Sequence, residues 1–265
     1  MLTYPNIDPI ALALGPIEIR WYSLAYIFGI LLALLYMHLL DKKYRFKLTS
    51  PKLLEDLSFY IILGIILGGR LGYVLFYNPG YYLQNIIEIF FIWQGGMSFH
   101  GVLTGVSIAV LLFCRKNNLS YLRYMDLISA ASPIGIFLGR IANFINGELF
   151  GRPTNLPWGM IFPHGDHQPR HPSQIYEAIF EGLFAFIILF LCFKLKNIRD
   201  NPGKITGIFI SIYAIARILI EFTREPDPQL GLFLNFISMG QILSLILLAL
   251  GIYLSLIFPR GFPKK

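Results

Sequence analysis

Charge is scarce in this chain. Only 14% of its 265 residues are Asp, Glu, Lys or Arg, against 55% hydrophobic and 15% aromatic residues. Cysteine is scarcer still, and the two present, Cys114 and Cys192, stand beside basic loops without metal-ligand spacing. Neither a disulfide framework nor a cysteine metal site follows from them. No Gly-x-Ser-x-Gly elbow and no His-Glu-x-x-His pair occurs, so the sequence offers no protein nucleophile and no zinc helix. His164, His167 and His171 fall in an irregular proline-containing stretch, and no metal or cofactor is expected. Internal repeats and low-complexity tracts are also missing. Residues 1–20 lack the basic start of a cleavable signal peptide and carry Asp8, Glu18, Pro5, Pro9 and Pro16. They read as a short looped or amphipathic lead-in.

What is present is a series of apolar runs near the ~20 residues that cross a ~30 Å hydrocarbon core. Seven spans are expected, at 21–40, 53–77, 96–114, 122–146, 174–193, 205–223 and 236–258, in an all-α, single polytopic membrane domain covering 1–265. The net charge of +7 would suit nucleic acid, but its distribution argues against that partner. Fifteen of the 22 Lys and Arg residues fall on one side of these spans, in the clusters Lys42–Lys52, Arg115–Arg123, Lys194–Lys204 and Arg260–Lys265. The positive-inside rule makes that side cytoplasmic, with the N terminus outside and the C terminus inside. Loops 78–95 and 147–173 are then periplasmic. The first has no Lys or Arg and offers Ile86–Trp93 as a short interfacial helix.

The seven remaining cations, Arg20, Arg70, Arg140, Arg152, Arg170, Arg217 and Arg224, are all arginine. A guanidinium presents a planar fork to phosphate or carboxylate, whereas an ammonium is a point charge. An all-arginine outer half suits a phosphorylated ligand embedded in the membrane; for Arg20 and Arg224, snorkelling at a span end is the plainer reading. At ~1.5 Å per residue, Arg70 and Arg140 lie about 26 Å above the cytoplasmic end of the bundle and Arg217 roughly 20 Å. His100 and Glu177 enter early in spans that begin outside. The polar site is therefore expected in the outer half.

The densest polar stretch is Gly139-Arg140-Ile141-Ala142-Asn143-Phe144-Ile145-Asn146-Gly147-Glu148. A charge at a helix centre costs roughly 2.5–3.5 kcal/mol on insertion scales, so such groups need an interior partner or a polar cavity. Arg140, Asn143 and Gly147 share a helix face, with Gly147 as a gap for close approach. Tyr213, Arg217, Glu221 and Arg224 share another, where Arg217 and Glu221 have ion-pair spacing. Glu177 and Glu181 repeat that spacing after Ser173, a candidate N-cap. Gly64, Gly68 and Gly72 form a small-residue ridge. Arg70 beside it could bind ligand or pair with Glu148, Glu177, Glu181 or Glu221. His100 is the candidate proton acceptor, since its ordinary pKa of ~6.5 lies nearest neutrality.

The chain resembles the prolipoprotein diacylglyceryl transferase family over nearly its whole length. The resemblance rests on Gly139-Arg140-x-x-Asn143-Phe144-Ile145-Asn146-Gly147-Glu148-x-x-Gly151-Arg152, with Trp21-Tyr22, Gly68-Gly69-Arg70-x-Gly72-Tyr73, Gly95–Gly101, Arg170–Gln174 and Arg217-x-x-x-Glu221-Phe222 in support. Members often carry Gly-Gly after the histidine; here it is Gly101-Val102, a change that bears on local packing rather than chemistry. The resemblance implies a multi-pass protein of the bacterial plasma (inner) membrane that takes phosphatidylglycerol as donor. It would join the diacylglyceryl group by a thioether to the lipobox cysteine of prolipoprotein signal peptides, releasing glycerol phosphate. It implies His100, Arg140 and Arg217 as catalytic residues, and Arg140, Asn143, Asn146, Tyr22, Glu148, Glu221 and Arg70 as substrate-binding ones. In that assignment Glu148 orients an arginine and the two asparagines orient ligand oxygens. A polytopic transporter of an anionic or proton-coupled substrate is the rival, and a non-catalytic lipid-binding scaffold a third reading. Against transport, the last span carries no charge, and paired repeats with broken helices are not seen.

Overall fold

The computed structural model describes residues 2–15, 17–225 and 237–257. Pro16 of the lead-in, the limits Phe236 and Phe258 of the last expected span, and Arg260, Lys264 and Lys265 of the basic sorting lie outside the described residues.

The lead-in is a hairpin. Strands β1 (Ile10–Leu14) and β2 (Ile17–Arg20) pair antiparallel, with Leu12 opposite Ile19 and Leu14 opposite Ile17. Alternation of large and small or polar residues on both sides of Gly15 has a period of two, and Gly15 adopts a φ of 62°. The looped or amphipathic lead-in expected here is thus a pair of short strands.

Helices follow: α1 (Trp21–Tyr44), α2 (Pro51–Phe76), the short α3 (Pro79–Gln84), α4 (Phe99–Lys116), α5 (Tyr121–Ile145), α6 (Ser173–Glu177), α7 (Ala185–Lys194), the short α8 (Lys196–Arg199), α9 (Lys204–Glu221) and α10 (Met239–Ile252). Between α6 and α7, Ala178–Phe184 is a π-helical stretch, so Ser173–Lys194 is one continuous helix. The interfacial helix expected at Ile86–Trp93 is a pair of 3₁₀ segments, Ile86–Phe90 and Ile92–Gln94. Starts are set locally: the Ser50 hydroxyl accepts from Leu53 N ahead of Pro51, Ser98 from Gly101 N, and Ser238 forms a reciprocal box with Gln241.

Five of these helices are long and apolar enough to cross a membrane: α1, α2, α5, Ser173–Lys194 and Met239–Leu256. The protein is therefore a multi-pass membrane protein. At the positions of the other two expected spans stand α4 and α9, each of 18 residues.

The chain divides into two compact units, one holding the described residues of Met1–Met37 and Ile128–Lys265, the other His38–Leu127. The second unit is organised by backbone contact between α2 and α4. A Cβ on Gly64 would lie 2.8 Å from the Gly105 carbonyl oxygen, and one on Gly72 2.6 Å from Gly101 Cα. Gly68 meets the backbone of both Gly101 and Gly105. The glycine ridge thus docks on a matching ridge, as expected where lipid removes any hydrophobic drive between helices and close packing must hold them. Val102 falls beside this seam, 3.0 Å from a Cβ built on Gly69, which explains why Gly101 rather than the next residue must be small. In the first unit, α1 and α5 approach at Gly29 and Gly135, and α9 meets α10 at Gly207 and Gly251.

Candidate active site

The first unit gathers charge where α5 and α9 end and where Ser173–Lys194 begins. Glu177 is fully buried and is the hub. It lies 3.1 Å from Arg140, 2.8 Å from Arg217 and 2.7 Å from Arg224. Glu181, equally buried, lies 3.4 Å from Arg140. Glu221 holds Arg217 at 3.0 Å and Arg224 at 3.6 Å, and accepts from the Ser238 hydroxyl at 2.9 Å. Tyr213 stands within electrostatic reach of Arg140, Arg217, Glu177 and Glu181. Three arginines and three glutamates therefore face one another. Arg224, read from sequence as a snorkelling terminus, belongs to the cluster; its helical spacing from Glu221 was the available signal.

The π stretch serves this arrangement. Glu177 ends α6 and Glu181 lies inside the wider turn, a feature that recurs at functional positions. Gly182 follows, and a Cβ there would sit 2.8 Å from Phe137 Cβ on α5. That absence of a side chain lets the helix carrying both glutamates approach the helix carrying Arg140.

The end of α5 builds a second group. Gly147 adopts a φ of 65° and is the left-handed residue that stops the helix. The chain reverses, so that Glu148 N donates to the Asn143 carbonyl at 3.2 Å. Gly147 is thus a helix stop rather than the gap on the Arg140 face expected from spacing. The reversal lays the Glu148 carboxylate over both asparagines: Asn143 Nδ2 donates to Glu148 Oε1 at 2.8 Å and Asn146 Nδ2 at 3.2 Å. The described partners of this carboxylate are amides, not the arginine it was expected to orient. Tyr22 lies within electrostatic reach of Glu148 and Arg140, and its hydroxyl is 3.1 Å from that of Tyr26. Tyr4 donates to the Phe144 carbonyl at 2.6 Å and to that of Ile145 at 3.0 Å, covering terminal acceptors of α5.

The 147–173 loop is tied down by backbone pairing. Gly151 N donates to His171 O at 2.8 Å, Arg152 N to Thr223 O at 2.8 Å, and Arg152 Nε to Arg224 O at 2.7 Å. A side chain at Gly151 would collide with Thr223 O and His171. Arg170 binds Asp166 at 2.9 Å and Glu225 at 2.6 Å and covers the Phe150 ring. Hydrogen bonds from Arg170 draw the Asp166 pKa down to about 2, so this carboxylate stays ionised near neutrality. Ser173, expected as an N-cap, is buried and donates to Leu149 O at 2.8 Å; Pro172 holds the cap position.

Arg70 and His100 belong to the other unit. The Arg70 side chain, in a residue only 3% exposed, donates to carbonyls of Glu88 at 2.5 Å, Ile89 at 2.9 Å and Gly95 at 2.6 Å. Its guanidinium also lies over the Tyr82 ring. None of the four glutamates considered for it is among these partners; the fork binds the backbone of the 3₁₀ segments instead. His100 lies in the first turn of α4 beside Gly101, and its carbonyl accepts from the Thr104 hydroxyl at 2.9 Å.

Comparison with known proteins gives a family match over residues 9–257, to the prolipoprotein diacylglyceryl transferases. A relative from Rickettsia akari named phosphatidylglycerol–prolipoprotein diacylglyceryl transferase is 53% identical over 254 residues, covering 96% of this chain and 97% of the relative. Proteins of the same name from Rhodospirillum rubrum and Methylocella silvestris are 49% and 50% identical over 263 and 258 residues. They cover 99% and 96% of this chain, and 96% and 94% of the relatives.

The hub predicts an asymmetry between buried and exposed pairs. Glu177→Gln leaves three arginines short of countercharge and should destabilise the protein by about 3–5 kcal/mol, with loss of activity. Glu225→Gln removes a partner of Arg170 that is half exposed and should cost no more than about 1 kcal/mol. Unfolding of both variants in detergent checks this; equal losses would remove Glu177 from its central place.

Proposed function

We infer the function of this chain from its family: it belongs to the prolipoprotein diacylglyceryl transferases. It is an enzyme that transfers the diacylglyceryl group of phosphatidylglycerol to a prolipoprotein, the first step of lipoprotein maturation. The observation that carries this is half identity along almost the whole chain. Seven spans in the bacterial plasma membrane, with the N terminus outside and the arginine cluster towards the outer leaflet, are our topology. It is supported by the one-sided sorting of fifteen cations. Labelling of single cysteines placed at Lys42–Lys47 from outside intact cells would overturn it.

The acceptor is the lipobox cysteine of the signal peptide, so the substrate supplies the nucleophile. Its sulfur attacks the glycerol carbon bearing the phosphoester. The carbon–oxygen bond breaks, a thioether forms, and glycerol phosphate leaves with the bonding electron pair. Charge develops on the departing phosphate, where prearranged guanidinium forks stabilise it best. Arg140 and Arg217 take this role, with 17% and 15% of their side chains still exposed. Three carboxylates already balance the three arginines, so the phosphate competes for N–H groups that the glutamates otherwise hold. Glu221 fixes the Arg217 fork, Asn143 and Asn146 act with Glu148 on the headgroup, and Tyr22 adds a hydroxyl. Arg70 secures the 86–96 segment. His100 accepts the thiol proton.

Purified protein given labelled phosphatidylglycerol and a lipobox peptide should yield a diacylglyceryl-peptide and free glycerol phosphate. Movement of lipid or solute with no covalent product would replace the enzyme by a transporter. Arg140→Lys keeps the charge but loses the fork, and turnover should fall about 10²–10³-fold. Near-normal turnover in a correctly inserted variant would withdraw the bidentate assignment.

His100→Gln should slow transfer strongly at about pH 6–7, where a thiol of pKa ~8.5 is only a few per cent thiolate. Raising the pH towards ~8.5 should restore part of the rate, because thiolate then forms unaided. A defect independent of pH would make the histidine positional and pass thiol activation to the field of Arg140 and Arg217.

A further inference from the structure

Beside the arginine cluster lies a group of oxygens that has acceptors to spare. Asn146 donates its amide N–H to Glu148 Oε1, and Gln174 donates Nε2 to the backbone carbonyl of Glu148. Because both partners are acceptor-only oxygens, neither amide can be turned over without setting oxygen against oxygen. Their carbonyl oxygens must therefore face away. Asn146 Oδ1 and Gln174 Oε1 are both buried without a hydrogen-bond partner among the described residues. Gln174 is 0% exposed, so its carbonyl is removed from bulk water. A buried acceptor left unmatched costs about 1–3 kcal/mol, and two of them on amides bonded to one residue, Glu148, call for a ligand that brings donors.

We propose that Gln174, with Asn146 and Glu148, forms an acceptor-only pocket that receives the hydroxyl groups of the donor lipid's terminal glycerol. This rests on the transferase reading above and deepens it by naming how the headgroup is read. Position favours the lipid over the peptide substrate. Arg140 and Asn143 are one helical turn apart on α5, about 5–6 Å between side-chain origins. Asn143 and Asn146 share Glu148 Oε1. A phosphate engaged by Arg140 therefore places its attached polyol, which carries the only donors of the headgroup, at this group. Gln174 does not touch the reacting atoms; it is a specificity-determining residue. It stands three residues before the hub Glu177, so headgroup and phosphate are read from one helix end.

The test compares two donors, phosphatidylglycerol and phosphatidylpropanol, whose headgroup has the same carbon count and no hydroxyl, with one lipobox peptide. The unchanged protein should prefer phosphatidylglycerol in kcat/KM. Gln174→Met removes the carbonyl and should lower kcat/KM for phosphatidylglycerol about three- to tenfold more than that for phosphatidylpropanol, the effect of one lost hydrogen bond. Loss of the Nε2 bond to Glu148 in the same variant acts on both donors alike, so the carbonyl's role is read from the ratio of the two kcat/KM values. Equal losses on both donors in Gln174→Met, or an unchanged protein that does not discriminate, would overturn the pocket. Transfer from neither donor by the unchanged protein would instead fault the transferase reading itself.

Discussion

Six acidic and basic side chains taken out of water together leave almost no freedom in how the surrounding helices pack. Each costs several kcal/mol to desolvate, and only closely placed countercharges offset that. Glu177 meets this condition with three guanidinium groups within 3.1 Å, contributed by α5 and by α9 with the turn that follows it. Moving any one helix by an ångström would weaken at least one pair, and no bulk water is at hand to replace it. The cluster consequently fixes the register of the helix ends that surround it. Hydrophobic contact cannot do this in a bilayer, since lipid tails are as apolar as leucine.

The irregular features of the first unit make sense as accommodations to that constraint. A regular helix through Glu177 and Glu181 would present both carboxylates at one fixed angle; the wider π stretch changes that angle within a single turn. Gly182 removes the side chain that would hold α5 away, and Gly151 removes the one that would hold the outer loop off Thr223. The loop then closes on the far end of α9 through Arg152, whose guanidinium reaches the carbonyl of Arg224. A cluster member's own backbone is thereby an anchor for the loop. The loop's surface clamp, Arg170 with Asp166 and Glu225, is exposed on its acidic side and contributes little by comparison.

The helices could be read from sequence because apolar length is a signal that neighbours do not alter. The same holds for the glycine ridge of α2, whose spacing of four is visible without its partner. Side-chain pairing was less legible. Arg217 and Glu221 were found because they lie on one helix, but the hub Glu177 gathers arginines from elsewhere in the chain, and spacing says nothing about those. Glu148 was assigned an arginine on charge alone, whereas a left-handed turn at Gly147 delivers it to two amides. Depth groups Arg70 with the other arginines, yet its partners are backbone carbonyls of the segment expected as an interfacial helix, and carbonyl partners leave no mark in a side-chain pattern. The N-terminal hairpin, expected as a looped or amphipathic lead-in, has strands of five and four residues, too short for a period of two to stand out.

Electrical balance in the cluster also bears on how the proposed reaction turns over. A cradle of bare arginines would hold the departing glycerol phosphate at least as firmly as the lipid that carried it, since the product bears more negative charge. Interactions that stabilise product and transition state alike would slow release. With Glu177, Glu181 and Glu221 already in contact, each guanidinium has a resident anion ready to take it back. In the proposed mechanism donor binding exchanges carboxylate for phosphate at the guanidinium groups, and product release exchanges phosphate for carboxylate. The entering phosphate adds negative charge to a balanced cluster and leaves a displaced carboxylate short of its partner, and product release restores the balance. The fully buried Glu177 and Glu181 are suited to this because, having no water to turn to, they favour return to the arginines.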